Sequence, residues 1–275
     1  MKSPIYLSPI DFSTVSETAM RLALDLAIAN DGSVLMLHFV DKKQAVKEAK
    51  ERFVTFTENL TDAERALITT KVLVGNIYDS ISIASDVVGA NLIVMGTHGA
   101  TGLQKLFGSH ALKLVSSTST PFMITQGGNT SGPIKNIVMP YYFERESMQI
   151  ASFAASIAKQ FNATIHLVGS HHTDEWLAIK TQTNQTVLRR FFAEHGIKCE
   201  LQNLQQRKTY QQELLAYAES VDADLLAVSY HHSDTFLPTM HSFVQQLLEN
   251  DKQIPVLTVN TEDLTLTSGY AFIST

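Results

Sequence analysis

Two kinds of hydrophobic pattern alternate along the chain and predict strands separated by helices. Segment 33–40 is almost continuously apolar, which is typical of a strand buried on both faces of a parallel sheet. Within 19–27 the apolar residues instead recur every three or four positions, so they lie on one face of a helix. Strand-like runs end at Pro9 and Pro140, and others are predicted at 33–40, 71–74, 90–95, 121–125, 164–168, 198–201, 223–228 and 255–259.

Helical patterns fill the intervals between these runs. Ala-rich amphipathic segments follow Pro9 and Pro140. Thr14 and Glu17 have the spacing of a capping box, which predicts that Thr14 caps the first helix. Further helical segments are predicted at 43–68, 77–88, 174–195 and 209–220, and around Leu112 and Val115.

The chain is an internal repeat, because its two halves share one element order, β-α-β-α-β-α-β-α-β. Such alternation builds a parallel sheet with helices on both faces. We therefore predict an α/β fold of two tandem, doubly wound, five-stranded parallel-sheet domains in a pseudo-twofold arrangement. The predicted domains are 1–127 and 133–262, the segment 127–132 is the linker, and the tail 263–275 has no counterpart in the first half. One large α/β domain is the alternative.

Composition narrows the classes of function. The 275 residues are 44% hydrophobic and 17% charged with a formal net charge of −6, which predicts packed cores and no basic surface for nucleic acid. The single cysteine, Cys199, excludes an internal disulfide and favours a reducing compartment. No apolar run reaches the ~18 residues of a membrane helix, and the first residues lack the apolar core of a signal peptide. We expect a cytoplasmic protein without nucleic-acid or membrane partners.

A glycine-rich loop after the fourth strand of the first half is the most informative segment. Residues 95–115 leave a buried-type strand and end in a helical pattern that opens at Gly108 and Ser109. Glycines allow sharp turns and close approach to a ligand, and free N–H groups at a helix start attract anions. Since ligands bind at the carboxyl ends of parallel strands, the segment predicts a phosphate site. The spacing matches neither the Walker nor the dinucleotide fingerprint, and a glycine-rich turn without a ligand is the alternative.

These residues resemble the universal stress proteins. The resemblance rests on MetGlyThrHisGly at 95–99 and GlySer at 108–109, together with ProIleAspPheSer at 9–13. It covers nearly the whole chain as a tandem pair, strongly in 1–126 and weakly in 134–260. It implies an α/β fold that binds adenine nucleotides. ATP-binding members carry Gly-x2-Gly-x9-Gly-[Ser/Thr], whereas here eight residues separate Gly99 from Gly108.

The resemblance also implies binding residues for the adenosine. By position in the motif, Pro9, Ile10 and Asp11 would hold the adenosine at the end of the first strand. Phe39 would meet the edge of the adenine through its backbone. Asp11 has an alternative interpretation, because an Asp before Phe-Ser is also a good turn and cap residue.

The remaining implied residues lie around the glycine-rich loop. By the resemblance, the ribose and phosphates would be bound by Met95, Gly96, His98 and Gly99. The outer phosphates would be bound by Gly108, Ser109 and His110. The expected ligand is ATP or AMP, with or without Mg²⁺.

The second half lacks these residues. Tyr142 stands in the place of Asp11, and bulky side chains replace the glycines, since Ser229, Tyr230, His231 and His232 stand for residues 96–99. We expect a degenerate domain that binds no nucleotide and serves as a built-in dimerisation partner. Strands 121–125 and 255–259 would then pair within the chain as an internal pseudo-dimer, and a homo-oligomer is left open.

Other chemistry has weaker support in the sequence. The pairs at 171–172 and 231–232 are adjacent histidines past predicted strand ends, and polar loop histidines are favoured over a metal site. Asp11, His98 and Ser109 have no Arg or Walker lysine beside them, so no catalytic constellation is evident. The predicted function is ATP- or AMP-dependent regulation or stress response, with an unknown protein partner. The alternatives are a scaffold of the same fold that binds no nucleotide, and a slow ATPase.

Overall fold

The computed structural model describes residues 3–97, 108–128, 132–141, 147–170, 174–205, 208–230 and 238–261. The chain divides into two compact units, Met1–Gly132 and Pro133–Thr275. The roles assigned to the two domains, and the pairing of their last strands, stay predictions. The tail 263–275 lies outside the described residues.

The first unit is a parallel sheet with helices between its strands. Its described strands are β1 (Ile5–Pro9), β2 (Ser33–Val40), β3 (Ile68–Val74), β4 (Leu92–Gly96) and β5 (Phe122–Thr125). They pair in the order β3-β2-β1-β4-β5, and each pair is parallel. Its described helices are α1 (Thr14–Ala29), α2 (Val46–Phe56), α3 (Asp62–Ala66), α4 (Ile77–Val88) and α5 (Gly108–Val115), with one 3₁₀ turn at Lys43–Ala45.

The second unit repeats this plan. Its described strands are β6 (Asn136–Pro140), β7 (Thr164–Ser170), β8 (Cys199–Leu204), β9 (Leu225–Tyr230) and β10 (Val256–Asn260). They pair in parallel in the order β8-β7-β6-β9-β10. Its described helices are α6 (Ser147–Phe161), α7 (Glu175–Glu194), α8 (Tyr210–Ser220) and α9 (Pro238–Leu248). The predicted fold class, two tandem five-stranded parallel α/β domains, is confirmed.

Small residues bring α1 close to the sheet of the first unit. Ala19, Ala23 and Ala27 recur every four positions and are fully buried, and α1 packs on β1, β2 and β4. Apolar strand residues such as Leu7 and Val94 complete this core and are equally buried. The resulting sheet reverses its strand order between β1 and β4, which is the point where such folds open a crevice. Among the described residues, no helix combines the length and hydrophobicity needed to span a membrane.

Two details of the predicted helices are wrong. Ser13, not Thr14, is the N-cap of α1, because its Oγ accepts a hydrogen bond from the Ser16 N–H and Thr14 is already helical. The segment 43–68 is not one helix. It contains the 3₁₀ turn, α2 and α3, and a second N-cap at Thr61 starts α3 with its own capping box.

Candidate functional site

A cavity of about 630 Å³ opens at the carboxyl edge of the sheet in the first unit. Its walls come from the ends of β1, β2 and β4, from the turn after β3, and from α4 and α5. The volume lies within the ~300–1,000 Å³ typical of small-molecule sites. The cavity therefore lies at the switch point of the strand order, where ligands bind in open α/β sheets.

The cavity brings together most of the residues singled out from the sequence. Those that line it are Pro9, Ile10, Asp11, Phe39, Met95, Gly96 and His110. Gly108 and Ser109 are the first two residues of α5. His98 and Gly99 lie outside the described residues. The nucleotide-binding role of all eleven stays a prediction.

Asp11 is held by the turn that joins β1 to α1. Its Oδ1 accepts hydrogen bonds from the Ser13 N–H at 3.0 Å and from the Ser13 hydroxyl at 2.5 Å. Phe12 between them has a left-handed backbone with φ of 64°, and its ring contacts the rings of His38 and Phe53. Asp11 is exposed, and both bonds use the same oxygen. The turn role and a ligand role for Asp11 are therefore compatible, because Oδ2 faces no donor in the described part of the chain.

His38 ties the end of β2 to the end of β1. Its Nδ1 lies 2.7 Å from the Ile10 carbonyl oxygen, and because a carbonyl only accepts, Nδ1 must carry the proton and donate. Burial is the main cause that lowers the pKa of His38, and the Arg52 guanidinium adds to it, while the Ile10 bond and Asp11 oppose it. The ring is consequently neutral at pH 7, and it fixes the backbone on which Ile10 lies.

The wall opposite β1 was not foreseen from the sequence. It consists of Asn76, Ile77, Tyr78, Asp79 and Lys113. Asn76 caps α4 by accepting from the Asp79 N–H, after Gly75 has turned the chain with φ of 141°. A Gly-Asn pair directly after a strand was the available signal, because the end of β3 must lie at the same edge as the ends of β1 and β4.

Tyr78 and His110 join α4 to α5 across this wall. The Tyr78 hydroxyl lies 3.0 Å from His110 Nδ1. The Lys113 ammonium lies 5.0 Å from the centroid of the Tyr78 ring, within the range of a cation–π contact. Burial raises the pKa of Tyr78, so its phenol keeps its proton at neutral pH.

Gly96 has a packing reason to be glycine. A Cβ at this position would lie 2.5 Å from Val15 Cγ1 and 3.0 Å from the Val15 carbonyl oxygen. The first turn of α1 therefore leaves no room for a side chain at the end of β4. The close approach of α1 explains this glycine whether or not a ligand also approaches it.

The second unit has a tyrosine and a glycine at the strand positions that correspond to Ile10 and His38. Tyr141 corresponds to Ile10, and Gly169 corresponds to His38, because both pairs hold the same register between the first two strands of their sheets. The buried Tyr141 ring lies across Gly169, where any Cβ would collide with its Oη. Gln185 Nε2 donates to that Oη at 2.7 Å. The Tyr210 hydroxyl donates to the Val168 carbonyl at 3.0 Å.

No metal site is formed by the described residues, in which no three His, Cys, Asp or Glu side chains converge on a point. The paired histidines at 171–172 and 231–232 lie outside the described residues. Cys199 is half-buried at the start of β8, and burial raises the pKa of its thiol to about 11. It is therefore a thiol rather than a reactive thiolate at neutral pH.

Fold and cavity together define a tandem doubly wound α/β protein with a ligand-sized cleft in its first unit. Residues 6–126 match the family model described as the Universal stress protein family. The resemblance stated from the sequence is thereby confirmed. No curated protein matches the sequence.

Solved structures extend the likeness in fold to the second unit. A universal stress protein from Archaeoglobus fulgidus DSM 4304 has 16% identity and a TM-score of 0.70, covering 94% of this chain and 99% of that chain. A functionally unknown protein from Pseudomonas aeruginosa PAO1 has 16% identity and a TM-score of 0.63, covering 94% and 92%. A putative universal stress protein from P. aeruginosa UCBPP-PA14 has the same identity and TM-score, covering 94% and 93%. At this identity the likeness shows the fold.

Proposed function

We propose that the first unit binds one adenine nucleotide, ATP or AMP, and that the protein is a nucleotide-dependent regulator of the stress response. The observation that carries the proposal is the open cavity at the end of β1, lined by residues of the family's motif. At the corresponding place in the second unit, Tyr141 occupies the space above Gly169. One nucleotide per chain is therefore expected.

In this proposal the two sides of the cavity have different tasks. The ends of β1 and β2 supply Asp11 and the backbone of Phe39, which suit a ribose hydroxyl and the hydrogen-bonding edge of adenine. Helix α5 supplies Lys113 and His110, which suit phosphate oxygens. Mg²⁺, where it accompanies ATP, would be held by phosphate oxygens with help from a carboxylate such as Asp79.

The second unit has a structural task in this proposal. Aromatic side chains lie near the carboxyl ends of its described strands, since Tyr141 is hydrogen-bonded to Gln185, Tyr210 to the Val168 carbonyl, and the Tyr210 ring contacts Phe243. We propose that it pairs with the first unit as an internal pseudo-dimer and that a protein partner responds to the nucleotide state. The single cysteine suits the cytoplasmic location expected from the sequence.

The direct test is calorimetry of the full chain with ATP and with AMP, each with and without Mg²⁺. The key variant is Asp11→Asn, which keeps Oδ1 as the acceptor for Ser13 but removes the negative charge. We expect about one site in the wild type and binding about tenfold weaker in the variant, as for a hydrogen bond to a charged group. The melting temperature should hardly change.

The matched control is Asp86→Asn, which makes the same chemical change on the exposed far end of α4. It should bind like the wild type. Two sites per chain would contradict the closed cleft of the second unit. No binding of either nucleotide at millimolar concentration would reject the proposal and favour a scaffold that binds no nucleotide.

A further inference from the structure

Charge is unevenly distributed around the cavity of the first unit. The carboxylates of Asp11 and Asp41 lie at the ends of β1 and β2, and that of Asp79 lies at the start of α4. Among the described lining residues, the one lysine is Lys113, on α5. His38 also lines the cavity, but its Nδ1 is engaged by Ile10 and its ring is neutral. Within the described lining, an anionic group of a ligand is therefore favoured beside α5 and disfavoured beside the ends of β1 and β2.

His110 shares this side of the cavity with Lys113. The two residues are three positions apart on α5, so their side chains lie on one helix face. The orientation of the His110 ring is set from outside α5, because Nδ1 faces the hydroxyl of Tyr78 on α4 at 3.0 Å. Tyr78 also carries Lys113 over its ring, so one side chain contacts both groups.

This contact couples the group that His110 presents to the direction of the Tyr78 hydroxyl, which can donate to Nδ1 or accept from it. When the Tyr78 hydroxyl donates to Nδ1, the imidazole proton resides on Nε2, which then becomes a donor. When the ring is protonated, Nε2 also carries a proton. In both states His110 offers an N–H beside the Lys113 ammonium, and two such donors suit a phosphate oxygen.

We propose that Tyr78 is a positioning residue that sets His110 and Lys113 as a phosphate-recognising pair, so that the cavity selects nucleotides by their phosphate groups. This inference rests on the proposed function of the same cavity. It adds that phosphorylated adenosines bind more tightly than adenosine. It also adds a contact between α4 and α5 to the features that select the ligand.

The test compares adenosine, AMP and ATP by calorimetry for the wild type and Tyr78→Phe. The variant keeps the ring under Lys113 and removes only the hydroxyl. ATP binding should weaken about tenfold while adenosine binding stays within twofold, because adenosine makes no phosphate contact. Nitrogen NMR of His110 should report a larger share of the Nδ1–H tautomer in the variant.

A second Tyr–His pair in the chain provides a matched control for removing a tyrosine hydroxyl beside an imidazole. In the second unit the Tyr217 hydroxyl lies 3.0 Å from Nδ1 of the buried His166. Tyr217→Phe should leave the affinities for all three ligands unchanged. A purely structural role of Tyr78 would instead lower the melting temperature and weaken adenosine and ATP alike.

The outcomes separate the two proposals. If the wild type binds none of the three ligands, both proposals are overturned. If it binds adenosine as tightly as ATP, or if Tyr78→Phe weakens both equally, the nucleotide site stands and the phosphate selection is rejected. A tenfold loss restricted to phosphorylated ligands, together with the tautomer shift, supports the role of Tyr78.

Discussion

His38 joins the packing of the first unit to the geometry of its cavity. Its donor bond to the Ile10 carbonyl holds two strand ends together, and its ring is covered by Phe12. The folded state favours the neutral form of this ring, because protonation places a positive charge in a partly buried site near Arg52. The residue that shapes the cavity is therefore also a source of acid sensitivity.

We expect the stability of the first unit to fall as pH decreases below about 6.5, the ordinary pKa of histidine. Because the folded pKa is lowered, the unfolded chain binds more protons in this range, and stability rises with pH until the unfolded histidine is neutral. His38→Asn keeps a donor toward Ile10 and cannot protonate. Its urea midpoint should therefore decline less between pH 7 and pH 5 than that of the wild type.

His166 in the second unit sets the control for this measurement. Burial lowers its pKa as well, although Glu200 opposes the shift. The wild type and His38→Asn share this contribution, so the difference between them isolates His38. Equal declines in both proteins would show that His38 does not titrate in this range.

At the scale of single elements, the sequence and the structure give different N-cap residues for α1. The spacing of Thr14 and Glu17 predicts one cap, and the structure has another, one residue earlier. Ser13 is buried, accepts from the Ser16 N–H at 3.2 Å and donates to Asp11. The spacing could not reveal this, because the left-handed turn at Phe12 decides where the helix begins.

Ser13→Ala should destabilise the protein by about 1 kcal/mol, the usual cost of losing an N-cap side chain. Thr14→Ala is the neighbouring control, since Thr14 is exposed and already helical. It should change the free energy of unfolding by less than about 0.5 kcal/mol. Chemical denaturation of both variants gives the comparison, and a larger loss in Thr14→Ala would restore the predicted capping box.

The predicted strand bounds differ from the observed ones by two residues or fewer except at β3 and β8. Strand β2, buried on both faces for most of its length, is found as predicted at Ser33–Val40. Strand β3 begins at Ile68 instead of 71, and β8 extends to Leu204 instead of 201. Both lie at the end of the strand order within their units, and half of their residues or more are at least partly exposed. A hydrophobic pattern fades where a strand has one open side.

Some residues of the candidate site could be predicted from the sequence and others could not. Motif positions at strand ends, such as Pro9 and Gly96, could be placed from the sequence because topology brings strand ends to one edge. The pair of Tyr78 and His110 could not, since 32 positions separate the two residues and only the packing of α4 against α5 joins them.

At the scale of the whole molecule, the two units use one fold for two different interiors. Where the first unit has the side chains of Ile10 and His38, the second has the Tyr141 ring, which is only 3% exposed and hydrogen-bonded to Gln185. Glycine at 169 and tyrosine at 141 are complementary, because any side chain at position 169 would collide with the Tyr141 ring. The different packing at the strand ends of the two units therefore results from a few side chains.

Tyr141→Ala should therefore open a cavity in the second unit and destabilise it by about 3 kcal/mol, as large-to-small changes of buried aromatic residues do. The cavity has the shape of the lost side chain and retains Gln185 as a donor. p-Cresol, which reproduces that side chain, should bind there and raise the melting temperature of the variant by mass action. The wild type, in which the Tyr141 ring occupies this space, should not respond.

Ile10→Ala supplies the matched control, because Ile10 holds the corresponding position in the first unit and is similarly buried. It adjoins an existing cavity and has no phenol to replace, so p-cresol should stabilise it far less than Tyr141→Ala. Nucleotide stoichiometry in Tyr141→Ala should stay at one, since Tyr210 and Phe243 still occupy the neighbouring space. A second nucleotide bound by this variant would mean that Tyr141 alone keeps the second cleft closed.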